Sequence, residues 1–175
     1  QDGSRAVTIN LRGVWVVSPE STRFVALPAG RWEVDALSGD NLFLIRYLGN
    51  SGSYQIRLLH VASGKLEARP LKDPHESGTI WGMPYSRLSS PDGRYLFTLY
   101  IAGNGAAMVH ALNLETAKAR CIDLPGTGDY LSATSWAMVL RGNTLWAVSP
   151  GYNRVVAIDV RARKIVRHFA LSLPY

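Results

Sequence analysis

The chain is written in short apolar runs broken by glycine, proline and charge, which is the pattern of β-strands rather than of long helices. Leu42–Leu48, Tyr95–Ile101 and Leu145–Ser149 are rich in leucine, β-branched and aromatic residues and are bounded by turn residues. A second run follows each at Gln55–Val61, Met108–Leu114 and Arg154–Val160, and a third at Leu66–Leu71, Ala119–Leu124 and Ile165–Leu171. A fourth precedes each block near Trp32–Leu37, Tyr85–Ser89 and Ser135–Leu140. Val155, Ile158, Ile165, Val166 and Phe169 also sit at helical spacings. The β-branched content of that segment and its gapless alignment with two other copies favour two strands there.

The runs recur as one block. Gly39, Gly93 and Gly142 each open a strand with an aromatic at the same place, Phe43, Phe97 and Trp146. The glycines lie about 54 and about 49 residues apart, a spacing typical of propeller blades. The three aromatics are expected to be buried on equivalent faces, because a side chain of that size recurs only where an inter-blade space recurs. The second strand of each block ends in a turn before a basic residue, Lys65, Lys118 or Lys164. Ser18, Asn113 and Asp159 can accept backbone N–H bonds in those turns, and His60 departs from that set.

The N-terminal stretch fits the same template. Asp2–Thr8 resembles Asp92–Thr98, Val14–Val17 gives the next strand, Ser18–Arg23 the turn and Phe24–Leu27 the last strand. The reading is therefore all-β: one β-propeller domain over 1–175 with three full four-stranded blades plus a partial N-terminal blade. The blades run approximately 2–28 (incomplete), 31–71, 84–125 and 133–174. The first lacks its innermost strand, so an unpaired sheet edge is expected near Arg5–Asn10. Such an edge recruits another chain or a second copy. A fragment of a longer propeller is favoured over a compact four-bladed ring or a partial ring completed by another chain.

Composition narrows the classes further. The 175 residues are 47% hydrophobic and 18% charged, with mean hydropathy near zero. No apolar run reaches the roughly 18 residues of a membrane span. The N-terminus carries no signal-peptide pattern, so a signal peptide is expected to have been removed or never to have existed; Gln1 suits a mature end after cleavage and equally a proteolytic or other chain boundary. A net charge of +6 favours anionic surfaces. Yet the arginines are scattered, only 161–168 is dense, and the aromatics occupy repeated interior positions, which argues against nucleic acid. Cys121 is the only cysteine, so it forms no internal disulfide, and its alternation with Ile122 and Leu124 suggests a buried thiol.

Ser90-Pro-Asp-Gly-Arg-Tyr-Leu96, Val109-His-Ala-Leu-Asn113 and Cys121-Ile-Asp-Leu-Pro125 resemble secreted β-propeller repeat proteins of the YVTN/Tol-associated type. More narrowly, the stretch from Ser90 to Pro125 is similar to a group of exported, actinobacterial-type proteins. The resemblance covers Trp32 to Pro174 and implies an exported propeller, extracellular or in the cell envelope. Its motifs are structural, and it carries over neither a catalytic set nor a cofactor.

In propellers one face gathers the loops between the second and third strands and those between blades, and function sits on such loops. Here these are Asn50–Ser53, Lys72–Pro84, Gly103–Gly105, Gly126–Leu131 and Pro150–Asn153. The candidate rim residues for a ligand or partner are Asp73, His75, Glu76, Trp81, Asn104, Asp129, Tyr130, Tyr152 and Asn153. Asp73, His75 and Glu76 are acid/base- or metal-capable types, but their spacing matches no ligand motif, and a solvated polar loop is the expectation. Gly126-Thr-Gly128 lacks the companions of a phosphate loop. His110 and His168 fall within strands. The reading is a non-catalytic interaction module of the envelope or extracellular space. The alternative is a propeller-based metal-assisted hydrolase or lactonase resting on the Asp73, His75 and Glu76 cluster, with Asp129 and Asn104 as extra oxygen ligands.

Overall fold

A computed structural model describes residues 5–49 and 52–171. Gln1, Asp2 and Gly3, the tip Asn50–Ser51, and Pro174 lie outside the described residues. The chain forms two compact units. One holds the described residues up to Ile80 together with Leu114–Lys118; the other holds Trp81–Asn113 and the described residues from Ala119 onward.

The first unit begins with a three-stranded antiparallel sheet, β1 (Ala6–Asn10), β2 (Gly13–Val17) and β3 (Thr22–Ala26), in that order. β1 stands at its edge, as the repeat alignment requires. Alternation divides the sheet cleanly. Val7, Ile9, Val14, Val16 and Val25 face the next sheet, whereas Trp15, Val17 and Phe24 face away and are exposed. That next sheet comprises β4 (Trp32–Ser38), β5 (Asn41–Tyr47), β6 (Ser53–His60) and β7 (Lys65–Leu66), and the two-residue β8 (Ile80–Trp81) pairs with β6. Leu42, Leu44 and Leu59 meet the first sheet's valines and are wholly buried. Arg23 fixes the joint by donating to the carbonyls of Val61, Ala62 and Ser63.

β7 is shorter than the expected Leu66–Leu71. Arg57, itself buried, donates to the Glu67 carbonyl, and Pro70 has no N–H to give. Only a single bridge, Ile56 to Leu71, continues the pairing. The His60 turn is closed by a neighbour: Asp40 accepts from the Ala62 N–H at 2.6 Å, and Gly64 N donates to the His60 carbonyl at 2.7 Å. Asp159 does the first job itself in the last block, accepting from Ala162 N at 2.7 Å.

The second unit holds two four-stranded antiparallel sheets. One is β9 (Met83–Ser89), β10 (Tyr95–Ile101), β11 (Ala107–Asn113) and β12 (Lys118–Leu124). The other is β13 (Ala137–Arg141), β14 (Thr144–Ser149), β15 (Arg154–Asp159) and β16 (Lys164–Ala170), so no helix crosses 154–169. Phe97, Leu99, Val109 and Ala111 of the former stack on Leu145, Ala147, Val156 and Ile158 of the latter. A one-turn helix, α1 (Tyr130–Ala133), joins the two and was not foreseen.

Ser90-Pro-Asp-Gly is a turn as read: Ser90 Oγ donates to Asp92 at 2.5 Å and accepts from Tyr95 N at 2.9 Å. Phe43 and Phe97 are wholly buried, but Trp146 is only half-buried. It occupies the same face of its strand as Phe97, and within its unit no further sheet stacks on that face. Cys121 is half-buried rather than enclosed, because it lies on the edge strand β12. His110 is buried, with its ring edge-on to Tyr100.

Candidate functional site

Three glycine-containing loops of the second unit converge where the sequence places a rim. Tyr152 is the pin. Its hydroxyl lies 2.7 Å from the Asp129 carbonyl and 3.0 Å from the Gly105 carbonyl. Two glycines make room for this approach. A Cβ at Gly126 would stand 2.6 Å from the Tyr152 ring, and one at Gly105 would stand 2.7 Å from the Asp129 backbone. Asn104 turns its own loop by accepting from Ala106 N, and its carbonyl accepts from Gly128 N at 3.0 Å. Asn153 follows the pin at φ +52°, and its carbonyl accepts from Leu171 N.

Asp129 caps α1. Its carboxylate accepts from Leu131 N at 3.0 Å, from Ser132 N at 3.2 Å and from the Ser132 hydroxyl. The Ser132 hydroxyl, with help from the two amides, holds this carboxyl below the usual aspartate range. Behind the helix Ser135 Oγ meets the buried Ser149 Oγ at 2.7 Å and accepts from Gly151 N at 2.9 Å. The Asp129 side chain is thus consumed by architecture.

The outward face of this region is aromatic. Tyr85 is an extra residue in β9: Ser86 pairs with Leu99 and Pro84 with Tyr100, so Tyr85 bulges out. Its hydroxyl meets that of Tyr130 at 2.7 Å, which raises the Tyr85 phenol above the ordinary tyrosine range. Trp81, Met83, Tyr85, Tyr130 and Leu131 are all exposed. Of these, Met83, Tyr85 and Leu131 were not foreseen. Pro84 inside an apolar run was the available signal, since proline in a strand marks an edge or a bulge.

The first unit treats its candidates differently. Asp73 is 3% exposed, so it is not part of a solvated loop. Its carboxylate accepts from His75 N at 3.1 Å and its carbonyl from Glu76 N at 3.0 Å, forming a tight turn that leaves His75 and Glu76 outside. Among the described residues no group of three or more His, Cys, Asp or Glu is placed to hold a metal ion.

Solved structures give the architecture its name. The β-propeller domain of Myceliophteria thermophila Cps50 (Swd1) is 15% identical, with a TM-score of 0.51, over 97% of this chain and 52% of that one. The fold is that of β-propeller blades. A structure from an analysis of two prolyl endopeptidases gives a TM-score of 0.55 at 16% identity, over 99% of this chain and 26% of that one. Kuenenia stuttgartiensis hydrazine synthase gives 0.50 at 15%, over 98% and 61%. The chain thus spans less than two thirds of the length of these proteins, and at such identities the likeness concerns the fold alone. No protein-family model and no curated protein matches the sequence. Among the described residues no helix is long and apolar enough to cross a membrane.

Proposed function

We propose that the chain is a non-catalytic propeller scaffold of the extracellular space or cell envelope, binding another protein on the rim of its second unit. The observation that carries this reading is the exposed aromatic cluster joined by the Tyr85–Tyr130 hydroxyl contact. Aromatic and methionine side chains that offer large apolar area at low conformational cost are the usual anchors of protein interfaces. A tyrosine pair pinned by its own hydrogen bond loses little further freedom on binding. The metal-assisted hydrolase reading needs acidic side chains left free to converge on an ion. Here Asp129 spends its carboxylate on a helix cap, and Asp73 is buried in its own turn.

The test is site-specific photocrosslinking with a probe at position 131, and a control probe at exposed position 115, in cell-envelope extract. The expected result is one discrete adduct from position 131 that disappears when Trp81→Ser and Tyr130→Ser are combined. Adducts equal at both positions, or unchanged by the double substitution, would defeat the reading.

A further inference from the structure

Two sheets of this molecule each leave one apolar face open, and the two faces are of opposite kind. On the first sheet the open face carries Trp15, Val17 and Phe24, which are 38%, 38% and 39% exposed. The Trp15 and Phe24 rings lie 4.9 Å apart, on directly paired residues of β2 and β3. On the last sheet it carries Val139, Trp146 and Phe169, with Trp146 edge-on to Phe169 at 6.3 Å. Val139 and Phe169 are 56% and 44% exposed.

The repeat tells which face fits which. Aligned on the turns at Ser18 and Asp159, Trp15 and Val17 correspond to Val156 and Ile158. In the last sheet those two are wholly buried under the sheet β9–β12. Aligned on the glycines, Trp146 and Val148 correspond to Phe97 and Leu99, the residues with which the sheet β9–β12 does that covering. So the last sheet's open face is the covering kind, and the first sheet's open face is the covered kind. The same covering-on-covered stacking joins the two sheets of the first unit.

Charge selects the same pairing. The first sheet's open face follows the register Ala6/Val17/Thr22, Thr8/Trp15/Phe24 and Asn10/Gly13/Ala26, which carries no charged residue. The last sheet's open face carries Arg141, Lys164 and Arg167 against the single acid Asp159, a net positive face. Apposing two copies of the latter would set arginines against arginines, whereas the uncharged aromatic face accepts guanidinium groups over its rings.

We propose that the occupant of these faces is a second copy of this chain: the last-sheet face of one copy stacks on the first-sheet face of another, as one more blade contact. The contact is heterologous, unlike the isologous patch of an ordinary two-fold dimer. It uses neither the rim cluster nor strand addition at β1, so it stands or falls apart from the rim reading.

Sedimentation velocity with two variants tests it. Trp15→Glu with Phe24→Glu disables the first face; Val139→Glu with Phe169→Glu disables the last. The parent is expected to associate and each variant alone to be monomeric, its association weakened roughly a hundredfold or more by unpaired carboxylates at the junction. An equimolar mixture of the two variants should recover a dimer through the one intact pair of faces. A monomeric parent, a variant that dimerises alone, or a mixture that stays monomeric overturns the proposal.

Should either double variant lose its native circular dichroism, a short bis-maleimide crosslinker takes over. It is applied to a mixture of Val17→Cys and Val139→Cys chains, each carrying Cys121→Ala. Mixed adducts well above the statistical share support the pairing, and adducts between like chains sink it.

Discussion

Phe97 and Trp146 hold the same place in two copies of one repeat, yet Phe97 is wholly buried and Trp146 is only partly so. Both follow a turn glycine, both sit on a central strand, and both point to the same face of their sheets. The difference lies in the neighbour. Phe97 meets the next sheet of its unit, while Trp146 belongs to that next sheet and faces out of it. Repetition in sequence specifies which way a side chain points; burial is decided by what stacks on that face.

The largest expected effect sets these two apart. Phe97→Ala should cost about 3–5 kcal/mol in urea unfolding, the range for a large aromatic removed from a closed core. Trp146→Ala should cost less, about 1–2 kcal/mol at high dilution, because part of its surface stays in contact with water. Equal costs would mean that Trp146 is covered within a single chain, contrary to the structure.

Asp73 and Asp129 make a second such pair, one acid buried and one exposed. Asp73→Ala should cost about 1–3 kcal/mol by leaving the His75 amide without its acceptor. His75→Ala and Glu76→Ala should each stay within about 0.5 kcal/mol, as exposed positions do. A destabilisation at His75 as large as that at Asp73 would point to a role for the imidazole beyond this turn. The matching measurement is the melting temperature of each variant.

These pairs also show what was legible. The strands, their hairpins and the Ser90 turn were readable because each is set locally, by alternation and by residues a few positions apart. The convergence of Asn104, Asp129 and Tyr152 was legible only as a set of loops. Tyr152 reaches Gly105 across 47 positions, and nothing local marks such a partner. Asp73 read as solvated because its neighbours are polar, and its burial comes from the fold around the turn. The bulge at Tyr85 was hidden because one inserted residue shifts a strand without altering its composition.

Acid separates Asp129 from an uncharged cap, with a smaller effect. The Ser132 hydroxyl and two amides lower its carboxyl in the folded chain, so its contribution is complete above the unfolded value near about pH 4. That contribution is lost as pH falls through the lowered folded value. The melting temperature of the parent minus that of Asp129→Asn should therefore be level from neutral pH to about pH 5 and shrink below it. A difference that holds constant down to about pH 2 would show that the charge plays no part in the cap.

The smallest effect comes from the turns before the basic residues. Gly64, Ala117 and Arg163 occupy the same place in three copies, at φ +72°, +51° and +51°. Glycine holds this conformation freely, whereas an L-residue pays roughly 1–2 kcal/mol for it. Ala117→Gly should relieve that strain and lose part of the gain to the greater freedom of the unfolded chain, for a net stabilisation of about 0.5 kcal/mol. Gly64→Ala should go the other way and further. Beyond the strain, its Cβ would stand 2.6 Å from a guanidinium nitrogen of Arg23, whose clamp on the Val61–Ser63 carbonyls joins the first two sheets. Urea midpoints moving in opposite directions at these two equivalent positions would confirm that one turn geometry is shared and only its surroundings differ. Midpoints moving the same way would mean that the shared backbone geometry does not control stability at this place in the repeat.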